Sequence, residues 1–168
     1  MPAVAHRMRL LHPRPGTADP PPGIPVRLAL LAGFLLLVAT RLPDIFLKGR
    51  FWAEEGTTYF ANALHRPWMD ALFAEHSGYI NLTASGAALL ARQLMPLDQA
   101  PLLTSAIALL VQACPAVLLA TSGVDWLRRP AVLALGLLLV ATPVQSAEVW
   151  INSITSQFHL TLAVALIL

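Results

Sequence analysis

Tyr79-Ile80-Asn81-Leu82-Thr83-Ala84-Ser85-Gly86-Ala87-Ala88-Leu89-Leu90-Ala91-Arg92-Gln93-Leu94-Met95 is the stretch on which the architecture turns. It is apolar enough to be read as a membrane span. Asn81, Ser85 and Arg92 nevertheless fall on one face at helical spacing, with Leu82 and Leu89 elsewhere. That modest amphipathic pattern suits a helix lying in a membrane interface. As a span, the stretch would put Asp98 inside and the Trp126-Leu127-Arg128-Arg129 loop outside, against the cytoplasmic bias of arginine and lysine. Laid flat, it leaves residues 101–121 as a second span and returns Arg128-Arg129 to the cytoplasm. The flat reading is preferred.

Upstream, Ile24 to Leu42 reads as the first span, with Arg27 and Arg41 at its ends, where long basic side chains can reach the headgroups. Residues 1–23 carry Arg7, Arg9 and Arg14 among prolines and read as a disordered cytoplasmic arm leading into an uncleaved anchor. The segment from Pro43 to Gly78 then lies outside the cell membrane and carries an interfacial helix at about Glu54 to Leu64. Downstream, residues 131–147 form a third span near whose end Pro143 sits, and residues 148–157 form a second outer loop. A fourth span begins at Phe158 and has too few residues to cross before Leu168, so the chain is expected to be the N-terminal part of something longer. The expected fold class is all-α: a polytopic transmembrane helical protein with an extracytoplasmic first loop bearing interfacial helices.

Composition agrees with a membrane chain. Hydrophobic residues make up 57% and charged residues 12%, against about 25% charged in soluble domains. The net charge of +2 is scattered over several loops, which is topology information and no nucleic-acid footprint. The Ala, Leu, Arg and Pro bias suggests a bacterial source, and the expected location is the inner membrane with the N-terminus cytoplasmic. One cysteine, Cys114, excludes a disulfide framework and a cysteine metal set. No phosphate loop, nucleophile elbow or HExxH pattern occurs.

The chemistry-bearing residues gather on the outer side. Phe51-Trp52-Ala53-Glu54-Glu55-Gly56 places two adjacent acids just past the first span, joined by Asp70, Glu75 and His76. Carboxylates near lipid are costly and point to function. If the chain stays helical after Pro143, Gln145, Glu148, Asn152 and His159 share one polar face that lines the same cleft. Plainer explanations stand beside these. Acids in a first helical turn complement the helix dipole. Glu148 beside Trp150 fits an ordinary interface position, and His76 and His159 fit packing roles.

This layout resembles the GT-C glycosyltransferases, integral membrane enzymes that use polyprenyl-phosphate sugars. The likeness rests on Glu54-Glu55 after the first span, then Tyr59, the segment opening at His76-Ser77-Gly78-Tyr79, the Arg128-Arg129 turn and the outer Pro143 to Glu148 region. It implies that Glu55 or Glu54 is a general base, drawing a proton from an acceptor hydroxyl that displaces polyprenyl phosphate with inversion. His76, Glu148, Asn152 and His159 would bind substrate. Many GT-C motifs carry an aspartate where this chain has two glutamates. The implied donor is a polyprenyl-phosphate sugar. No other cofactor is fixed, a divalent metal stays open with no ligands assigned, and the partners are membrane lipid and a lipid-linked sugar, not nucleic acid. The alternative is a non-enzymatic multi-pass protein, a transporter fragment or an assembly subunit.

Overall fold

The computed structural model describes residues 22–142 and 149–168, and the chain there is mostly helical. Helix α1, Ile24–Arg41, carries Pro25 in its first turn, where a missing N–H costs nothing, and ends on Arg41, a cation at the negative end of the helix. A short α2, Pro43–Lys48, follows and carries an exposed Asp44–Lys48 ion pair at 3.2 Å. The expected helix from Glu54 forms in two parts: a π-helical turn, Glu55–Phe60, running into α3, Ala61–His65. Gly56 has a packing reason, because a Cβ there would meet the Phe51 side chain at 3.2 Å. Helix α4, Trp68–Leu72, leads to a two-stranded hairpin, β1 (Glu75–His76) and β2 (Tyr79–Ile80), with Glu75 opposite Ile80 and His76 opposite Tyr79. Its two turn residues, Ser77 and Gly78, both have positive φ (53° and 84°), the hallmark of a type I′ turn.

Next come α5, Leu82–Leu94, α6, Ala100–Gln112, and α7, Cys114–Thr121. Pro115 gives no N–H to the helical ladder, which explains the break between α6 and α7. A 3₁₀ turn, Asp125–Arg128, precedes α8, Pro130–Ala141, and the last helix is α9, Ser156–Ile167. Among the described residues, two helices are long and apolar enough to cross a membrane: α1, of 18 residues, and the 22-residue run formed by α6 and α7. Helices α8 and α9 are apolar but have 12 residues each.

Two cores hold these parts. The larger joins α1, α7, α8 and the chain before α9 through Phe34, Val38, Ala116, Leu133, Leu137, Trp150 and Ile151. The smaller packs the π-helical turn and α3 on α5 and the start of α6, through Tyr59, Phe60, Ala63, Ala84, Ala88 and Ala91. Helix α5 faces the protein with a small-residue stripe, Ala84, Ser85, Ala88 and Ala91, while Leu82, Leu90 and Leu94 stay exposed. Small residues let the backbones of α5 and α6 approach closely. Asn81 and Ser85 therefore point into the protein, and the leucines point away from it. At about 1.5 Å per residue its 13 residues reach about 20 Å, short of a ~30 Å hydrocarbon layer.

Candidate functional site

Four successive residues outside any helix, Trp150, Ile151, Asn152 and Ser153, are all buried. Irregular backbone normally runs over a surface, because its N–H and C=O groups need partners. Here three side chains from three distant elements supply those partners. Glu55, at the head of the π-helical turn and 2% exposed, accepts the Ser153 N–H at 2.6 Å and the Ser153 hydroxyl at 2.5 Å on Oε1. Its Oε2 accepts the Trp52 N–H at 2.9 Å. Gln112, at the end of α6 and 0% exposed, accepts the Ile151 N–H at 2.8 Å. Its amide nitrogen donates to the carbonyls of Asn152 at 3.2 Å and Val149 at 3.4 Å. Asn81 donates to the Ile154 carbonyl at 2.8 Å and caps α5 by accepting the Ala84 N–H at 3.1 Å.

The loop also braces itself. The Asn152 side-chain oxygen accepts the Thr155 N–H and hydroxyl at 2.9 and 3.0 Å, and that hydroxyl also donates to the Val149 carbonyl at 3.1 Å. Ile151 is held at φ 59°, a left-handed conformation that costs a β-branched residue on the order of 1–2 kcal/mol. The surrounding bonds over-determine it.

The sequence candidates fall into three places. Glu55, Asn152 and His159 converge on this clamped loop. His159 is buried against the Trp150 indole, with ring centres 4.7 Å apart, and its Nδ1 has no hydrogen-bond partner. Residues 149–155 are not helical, so Asn152 and His159 do not share one continuous helical face; the loop's own side-chain and main-chain bonds replace the helical ladder there. Glu54 and His76 belong instead to a second cluster around Tyr59. Glu54 is exposed, unlike its neighbour, and His76 stands edge-on to the Tyr59 ring at 5.9 Å. Gln145 and Glu148 lie outside the described residues.

Tyr59 is buried, and its hydroxyl makes no hydrogen bond of ordinary geometry. Burial pushes its phenol up to about 12, with Tyr79 and the charge of Glu54 adding to the effect and Asn81 opposing it. Tyr59 is thus a neutral phenol at any physiological pH. Among the described residues, no group of three or more His, Cys, Asp or Glu side chains comes together as a metal ion would need.

No family model, curated protein or solved structure matches this chain. The geometry also brings in Gln112, Ser153 and Thr155, which had not been singled out, and Asn81, which the sequence offered only as part of an amphipathic face. Gln112 had a signal. It is a lone amide inside the apolar run from Leu102 to Ala120, and an amide buried there is costly unless it is fully bonded. Ser153 and Thr155 had none, since short hydroxyl residues are common in any loop.

Proposed function

We propose that this chain is a multi-pass membrane protein of the GT-C glycosyltransferase type, in which the two adjacent acids have divided duties. Glu55 is the tie that holds the outer segment to the buried loop, and Glu54 is the general base. The observation that carries this reading is the opposite environment of two neighbouring carboxylates. Both oxygens of Glu55 are occupied by donors, whereas Glu54 is exposed beside the Tyr59 cluster. A base needs an open oxygen within reach of the proton it takes. Glu54 has one, and Glu55 does not.

The membrane part of the reading is supported by where the apolar surface lies. Helix α1 has a mean hydropathy of 1.8 yet only 11% of it is buried inside the protein. Leu28 and Leu36 on α1, Leu135 and Leu139 on α8, and Phe158 and Ile167 on α9 are all exposed. Apolar helices left uncovered on a soluble surface would aggregate, and lipid covers them without cost. With the N-terminus in the cytoplasm, the Glu54 cluster and the clamped loop face the outer side. There Glu54 takes a proton from an acceptor hydroxyl, the oxygen attacks the anomeric carbon, and the polyprenyl phosphate leaves on the opposite face.

The test is sugar transfer from a polyprenyl-phosphate donor in membranes carrying the full-length protein. Glu54→Gln keeps the fold and lowers transfer by about 10²–10⁴-fold, the usual worth of a positioned base. Unchanged transfer in a folded Glu54→Gln protein sinks the base assignment. An absence of transfer in the unmodified protein favours the non-enzymatic reading, for which Glu55's wholly structural bonding is the supporting observation.

A further inference from the structure

An apolar groove of about 180 Å³ runs between α1 and α8, lined on one side by Ala29, Gly33 and Leu37 and on the other by Ala134, Leu138 and Ala141. It is smaller than the ~300–1,000 Å³ pockets that enclose a drug-sized ligand, and every residue lining it is apolar. That size and chemistry suit a single alkyl chain. Ala29, Gly33 and Leu37 step along α1 by four residues, and the next step is Arg41, which therefore ends the same ridge. Arg41 donates through Nη1 to the carbonyl of Ala141, itself a groove residue, while its Nε–H has no acceptor. No carboxylate pairs with it among the described residues.

A guanidinium with no acid partner among the described residues, at the end of an oily groove, asks for an anion with an oily body. We propose that the groove between α1 and α8 binds one acyl chain of an anionic phospholipid, whose phosphate sits on Arg41. A phosphate matches the flat donor fork of arginine and supplies the missing counter-charge. A second helix seated on this ridge would cover the same cation and would have to bring its own acid. The floor has room for the chain: no atom lies within 4 Å of where a Cβ on Gly33 would stand. The inference rests on the membrane reading of α1 and α8 and not on sugar transfer, so a chain that transfers no sugar leaves it untouched.

Native mass spectrometry of the full chain in detergent, titrated with phosphatidylglycerol or phosphatidylcholine, tests it. The wild type holds one phosphatidylglycerol in preference to phosphatidylcholine. Arg41→Gln lowers that preference about five-fold, the change expected for one basic residue at an anionic lipid surface. Gly33→Leu fills the floor and loses both lipids while keeping its helical content, and Ala134→Leu does the same from the opposite wall. Equal retention of the two lipids by the wild type overturns the proposal. So does an unchanged preference in Arg41→Gln, or lipid retained by both groove-filling variants. A dimer that Gly33→Leu disperses would assign the groove to a second copy of the chain and overturn it as well.

Discussion

Replacing Glu55 by glutamine changes one atom and should cost far more than the same change one residue earlier. The Glu55 carboxylate offers an oxygen to each side: Oε1 to the N–H and hydroxyl of Ser153, Oε2 to the N–H of Trp52. A glutamine has one acceptor oxygen. Turned so that this oxygen serves Ser153, its NH₂ group faces the Trp52 N–H, donor against donor. One bond to a charged group is lost, worth about 1.5–3 kcal/mol, and the two to Ser153 fall to neutral strength, about 0.5–1 kcal/mol less each. The sum is about 2.5–5 kcal/mol. That is a large share of the ~5–15 kcal/mol by which folded chains are stable. At about 2–4 °C per kcal/mol for a chain of this size, the unfolding midpoint falls by about 5–20 °C. Ser153→Ala removes only the hydroxyl bond and costs about 1–2 kcal/mol. The double variant costs less than the two singles added, because they share a bond. The assay is thermal unfolding in detergent followed by tryptophan fluorescence, with Trp52 and Trp150 beside the network as reporters. Glu54→Gln, at an exposed carboxylate, serves as the control and leaves the midpoint in place. A Glu55→Gln protein that melts with the wild type, or a Glu54→Gln protein that melts earlier than it, refutes the assignment of duties.

Gln112→Leu keeps the apolar volume but strands the Ile151 N–H and two carbonyls. It should cost about 2–4 kcal/mol and open residues 149–155 to a protease that leaves the wild type intact. Asn81→Ala should cost about 1 kcal/mol for the lost cap of α5 and a similar amount for the tie to Ile154. Asn81→Asp keeps the cap but sets a buried carboxylate oxygen against the Ile154 carbonyl, so denaturant unfolding should find it less stable than Asn81→Ala. The chain has two tyrosines, and an alkaline ultraviolet titration should find Tyr59 ionising near 12, with Tyr59→Phe removing that step. Unfolding releases a phenol with an ordinary value near 10. The folded form therefore holds its proton longer, and stability drops as pH rises from about 10 towards about 12. Tyr59 ionising near 10 in the folded protein would contradict its burial.

Hydropathy made the helices legible. The apolar runs at residues 24–42 and 101–121 emerge as α1 and the α6–α7 pair, because length and apolarity act locally. The hairpin was less legible, although Ser77-Gly78 is a turn dipeptide between His76 and Tyr79, and two-residue strands are too short to show alternation. The polar spacing in α5 was visible but not its direction. Asn81 bonds to the Ile154 carbonyl and Ser85 is buried against the protein, and that depends on α6 and the loop at residues 149–155, which no local pattern encodes. The pair Glu54-Glu55 stood out as charge near lipid. Which acid is buried depends on Ser153, 98 residues away, and nothing near Glu55 in the chain announces that contact.

That separation also sets an order of assembly. Two of the three donors to Glu55 come from Ser153, so during synthesis its carboxylate has only the Trp52 N–H until the eight α-helices described before Ser153 have emerged. Contacts this distant in sequence close late, after the entropy of the long intervening loop has been overcome. Until then Glu55 remains hydrated, and the helices it will anchor are free to adjust against α5 and α6. The arrival of Ser153 dries the carboxylate and fixes their position in one step. The tie works as a latch that closes only on a chain whose last loop is correctly threaded.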